Sequence, residues 1–110
     1  MTLTTLIDGV RATRELADGA YLIGRGEHCP IRFPLADVSE RHAVLTVRGG
    51  RVLIEDLHSA NGTFVNGVAI DRAEPLDGGK VVQVGSGMLR VSDEPATGDG
   101  EEEGRETGEG

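Results

Sequence analysis

At 110 residues the chain has room for one domain with one core. Its single cysteine, Cys29, excludes an internal disulfide, and no run approaches the ~20 apolar residues of a membrane-spanning helix. The net charge of −8 is unevenly spread: from Asp93 onward eight acids against one Arg leave −7, whereas residues 1–92 carry −1, too little basic surface for a nucleic-acid partner.

The first residues, Met1-Thr2-Leu3-Thr4-Thr5-Leu6, lack the basic start and long apolar stretch of a signal peptide, so the cytoplasm is the expected location. From there short apolar runs alternate with Gly, Asp and Asn turn signals, the pattern of an all-β sandwich. Strands are predicted near Thr2–Ile7, Val10–Glu15, Ala20–Gly24, Ile31–Phe33, Ala43–Val47 and Val52–Glu55. Four more follow near Thr63–Val65, Val68–Ile70, Lys80–Val84 and Met88–Val91, for about ten or eleven short strands in two twisted sheets. Gly49-Gly50 and Asn66-Gly67 each lie between two such runs and suit tight hairpins, which need positive φ. No window shows a helical period of useful length. The first and last strands are expected to pair. The aromatics are few (Tyr21, Phe33, Phe64), so the core must be mostly Val, Leu and Ile. Residues 1–92 therefore read as one β-sandwich domain. Residues 93–110, dominated by Gly, Glu, Asp and Thr, read as a disordered acidic tail or linker. Ten Arg against one Lys suggest a GC-rich bacterial genome.

In such a sandwich the loops cluster at the ends, where a rigid scaffold presents polar side chains together. Three loops carry unusual polar content: 24–30, 34–39 and 57–61. They offer a guanidinium (Arg25), hydroxyls (Ser39, Ser59), an imidazole (His58) and an amide (Asn61). A guanidinium beside a hydroxyl donor suits a phosphate dianion through short charge-assisted hydrogen bonds. An Asn amide both donates and accepts, so it can pair with a peptide backbone.

Three segments carry a more specific signal: Ile23-Gly24-Arg25, then Val38-Ser39-Glu40-Arg41-His42-Ala43, then the run from Asp56 to Gly67 with Asn61-Gly62-Thr63 inside it. In order, spacing and residue type they closely resemble the forkhead-associated (FHA) domain, a module that reads phosphothreonine. By that resemblance Arg25 and Ser39 contact the phosphate, and Asn61 hydrogen-bonds the peptide main chain. His42 ties the binding loops together from behind, and Gly24 and Gly62 serve backbone geometry. Arg41 and Ser59 complete the candidate phosphopeptide-binding set. The implied function is non-catalytic recognition of phosphothreonine in a partner, such as a Ser/Thr kinase or its substrate, or in the same polypeptide. That role belongs to signalling, with no cofactor, nucleic acid or membrane implied.

Two positions depart from the family's pattern. Glu40 follows the binding serine, where a basic or polar residue is common, and opposes a dianion. Ala60 precedes the asparagine, where a hydroxyl is common, and its side chain has nothing to donate. They define the alternative: an FHA-like module that binds protein without phosphate or assists assembly. Enzyme motifs fail. Gly78-Gly79-Lys80-Val81 is not a phosphate-binding loop, because no Ser or Thr follows Lys80. Gly85-Ser86-Gly87 lacks the pattern and α/β context of a nucleophile elbow. Cys29, His28, His42 and His58 share no metal-ligand spacing.

Overall fold

In a computed structural model that describes residues 1–93, eleven strands form two sheets and no helix occurs among the described residues. The strands are β1 (Thr2–Ile7), β2 (Val10–Glu15), β3 (Gly19–Gly24), β4 (Ile31–Arg32), β5 (Ala43–Arg48) and β6 (Arg51–Asp56). They continue with β7 (Thr63–Val65), β8 (Val68–Ala69), β9 (Glu74–Pro75), β10 (Val81–Val84) and β11 (Gly87–Ser92). One sheet has the order β2-β1-β11-β10-β7-β8, the other β4-β3-β5-β6-β9. First and last strands pair antiparallel, Leu3 opposite Val91, as expected.

Period-two burial shows why these segments are strands. Ala43, Leu45 and Val47 are buried while Val44 and Thr46 are half-buried; Val52 and Ile54 are buried while Arg51, Leu53 and Glu55 are exposed. The core joins Leu3, Val65, Val82, Val84, Leu89 and Val91 of the first sheet to Ile23, Leu45, Val47 and Ile54 of the second, with Phe33 fully buried. At about 25 cal/mol per Å² of apolar area removed from water, that packing is the main favourable contribution to folding.

Both expected hairpins form, between β5 and β6 and between β7 and β8. One strand was not foreseen: β9, two residues long and half proline. It pairs at the sheet edge with Leu53 and Ile54, and edges are where a residue without an N–H is tolerated. Ile31–Phe33 shortens to two residues, although the Phe33 amide still donates to the Gly24 carbonyl. The expectation for residues 94–110 lies outside the described residues.

The sandwich ends so that Gly24 (close of β3), Ala43 (start of β5), Asp56 (close of β6) and Thr63 (start of β7) lie at linked loop roots. Loops 25–30, 33–42 and 57–62 leave from them.

Candidate functional site

The three loops are bolted together by main-chain and side-chain hydrogen bonds. The Arg25 amide donates to the Ser39 carbonyl at 3.0 Å, and the Gly26 amide donates to the Glu40 carbonyl at 3.2 Å. This closeness requires glycine at position 24. A Cβ there would lie 2.2 Å from the Glu40 carbonyl oxygen, well inside van der Waals contact. Gly24 thus serves backbone geometry by permitting close approach.

His42 is the fastener behind the loops. It is fully buried. The Ser39 amide donates to its Nδ1 at 3.1 Å, and its Nε2 lies 2.9 Å from the Gly62 carbonyl. An amide can only donate and a carbonyl can only accept, so Nδ1 is the acceptor and the ring proton sits on Nε2. Its main chain adds two bonds: its amide donates to the Ile23 carbonyl and its carbonyl accepts from the Leu57 amide. One imidazole therefore links the 33–42 loop to the 57–62 loop.

Ser39 is half-buried. Its Oγ accepts from the Ala60 amide at 2.9 Å, which leaves its own proton available to donate. Ala60, whose side chain donates nothing, still positions Ser39 through its backbone. Arg25 is exposed at the loop's start, and its carbonyl is held by Arg32 Nε at 2.9 Å. Asn61 is exposed and donates from Nδ2 to the Asp37 carbonyl at 2.9 Å, so the third loop is pinned to the second beside Ser39. Its Oδ1 is uncommitted among the described residues. Arg41 and Glu40 are both exposed, and neither side chain makes an ion pair among the described residues.

Ser59 is held within the 57–62 turn. Its hydroxyl donates to Asp56 Oδ1 and accepts from the Gly62 amide at 2.9 Å, while its amide donates to Asp56 Oδ2 at 3.1 Å. Its single proton is spent within the loop, so it shapes the 57–62 turn. Gly62 closes that turn with φ +87°, a conformation glycine adopts without steric cost.

Asp56 was not singled out from the sequence, yet it is the hub. Besides both bonds from Ser59, it accepts from Thr63 Oγ1 at 2.7 Å, and Thr63 is fully buried. Partial burial alone would push its carboxyl up. The hydrogen bonds from the Ser59 and Thr63 hydroxyls and the Ser59 amide outweigh that and hold it below the usual carboxylate value. The available signal was an Asp at a strand end followed three residues later by Ser, the pattern of a side-chain-closed turn. Asp37 was also missed; it anchors Asn61 through its carbonyl and takes Ser86 Oγ at 3.3 Å on Oδ1.

Chemically, then, the loop end offers an exposed guanidinium, a hydroxyl with a free proton and a pinned carboxamide on a rigid frame. No cluster of three or more His, Cys, Asp or Glu suited to a metal occurs among the described residues.

A family model described as "FHA domain" matches residues 21–85. The chain is 38% identical over 86 residues to the FHA domain-containing protein FhaA of Mycobacterium tuberculosis, an alignment covering 78% of this chain and 16% of that protein. A structure described as a structural and functional analysis of phosphothreonine-dependent FHA domain interactions superposes with a TM-score of 0.75 at 33% identity, covering 86% of this chain and 99% of the other. The FhaA FHA domain complexed with the intracellular domain of Rv3910 gives a TM-score of 0.75 at 34% identity, covering 84% and 100%.

Proposed function

This chain belongs to the FHA domain family, and from that premise we propose that it recognises phosphothreonine in a partner protein without catalysing a reaction. FHA domains are non-catalytic recognition modules. One observation carries the reading furthest: Ser39 is fixed by its carbonyl to the Arg25 amide and by its Oγ to the Ala60 amide, so the Ser39 hydroxyl and the backbone that carries the Arg25 guanidinium belong to one frame. A phosphate dianion takes short charge-assisted bonds from such a pair. Asn61, pinned to Asp37, supplies the uncommitted Oδ1 for a peptide N–H. Arg41 offsets Glu40, and His42, Gly24 and Gly62 hold the loops. The partner is a phosphorylated protein such as a Ser/Thr kinase or its substrate, met in the cytoplasm of a bacterium, where ATP supports kinases.

The phosphate-independent alternative rests on Glu40, an exposed carboxylate next to Ser39 that has no ion-pair partner among the described residues. A degenerate phosphothreonine peptide library, screened against the full chain and its Arg25→Ala variant, separates the two. The reading expects retention of phosphothreonine peptides by the wild type, much weaker retention of phosphoserine peptides, and none by the variant. Equal retention of phosphorylated and plain peptides favours the alternative.

A further inference from the structure

The outer face of the second sheet has a charge pattern with twofold complementarity. Side chains alternate between faces along a strand. In β5 the residues at 43, 45 and 47 enter the core, so Val44, Thr46 and Arg48 face away; in β6 Val52 and Ile54 enter it, so Arg51, Leu53 and Glu55 face away. In β3 Ile23 is fully buried, so Leu22 and Ala20 share that outer face.

The register arranges these side chains in three rows across the strands. Arg48 lies opposite Arg51. Next, Ala20, Thr46, Leu53 and Pro75 form an uncharged row. Then Leu22, Val44 and Glu55 form the third. The face therefore carries Arg48 and Arg51 at one end, where the Asp18 carboxylate also accepts from the Gly49 amide, is uncharged in the middle, and carries Glu55 at the other end. Leu53, at its centre, is 41% exposed, high for a leucine in the middle of a six-residue strand. Among the described residues Arg48, Arg51 and Glu55 have no ion-pair partner.

We propose that this face is a self-association surface that takes a second copy of the chain about a twofold axis through the Leu53 row. In an isologous contact each residue at one distance from the axis meets the residue at the same distance on the other side. Arg51 and Glu55 flank Leu53 symmetrically, each about 7 Å from it along the strand. The axis therefore sets Arg51 of one copy against Glu55 of the other, twice, around an apolar centre. The occupant is identified by this pattern: a partner of one charge would meet a like charge at one end. The two loop ends point in opposite directions and both stay open.

Sedimentation equilibrium of the full chain over a concentration series tests this. The wild type should rise toward twice the monomer mass. Arg51→Glu and Glu55→Arg should each weaken self-association about tenfold or more by setting like charges face to face. Combined in one chain, the two reversals should restore it. Mixing the two single variants should also restore a dimer, because each presents the charges the other lacks. A wild type that stays monomeric at millimolar concentration overturns the proposal. So does association that neither reversal weakens, or that neither the double variant nor the mixture recovers.

Discussion

At the scale of single residues, the frame and the ligand contacts are separable, and substitutions should separate them. Arg25 is exposed and its side chain bonds no neighbour among the described residues, so Arg25→Ala should abolish phosphopeptide binding while leaving the melting temperature near wild type. His42 is the opposite case. Its removal leaves the half-buried Ser39 amide and Gly62 carbonyl unpaired, a cost of about 1–3 kcal/mol, so His42→Ala should lower melting temperature and affinity together. Binding lost at wild-type stability would instead put the imidazole on the ligand. Glu40 opposes the dianion by Coulomb repulsion of about 1 kcal/mol at a partly solvated site. Glu40→Arg should accordingly raise affinity by about fivefold or more, and Ala60→Thr should add a further gain. A titration series at two salt concentrations checks both; no change on Glu40→Arg would mean that its side chain points away from the phosphate.

At the scale of elements, the site exists because four strand ends and three loops share a few bonds. Asp56 gathers three of them at the close of β6. Its folded-state pKa is lowered, so its contribution to stability is complete above the ordinary carboxylate value of about 4 and is lost as pH falls through the folded value. Denaturant midpoints should therefore drop below about pH 4, and Asp56→Asn should be less stable at neutral pH with a flatter acid limb. Much of this architecture was legible in the sequence. Ten of the eleven strands lie where short apolar runs fall between Gly, Asp and Asn turn signals; β5, β6, β10 and β11 also show period-two burial, whereas β2 is exposed along its whole length. Arg25, Ser39 and Asn61 were legible as a set through their loop positions. What escaped was tertiary: β9 is two residues with a proline, a local signal for a loop, and it is a strand only because Leu53 and Ile54 offer it an edge. The role of Asp56 likewise depends on where Thr63 arrives, and nothing local in the sequence shows that the Ser59 proton goes to Asp56.

At the scale of the whole molecule, residues 1–92 sum to −1 and the full chain to −8. Long-range steering of an anionic peptide is therefore not favourable, and in the proposed reading attraction for the phosphate rests on the Arg25 and Arg41 guanidinium groups. With a Debye length of about 8 Å at physiological ionic strength, affinity should fall modestly with added salt. The central claim is that the loop end reads phosphate on threonine, and isothermal calorimetry with one phosphothreonine peptide and its unphosphorylated twin tests it most directly. The account predicts saturable binding of the phosphorylated peptide with a Kd on the order of 10 μM or weaker, given Glu40 and Ala60, and no measurable heat from the twin. Equal affinity for the two peptides would contradict it.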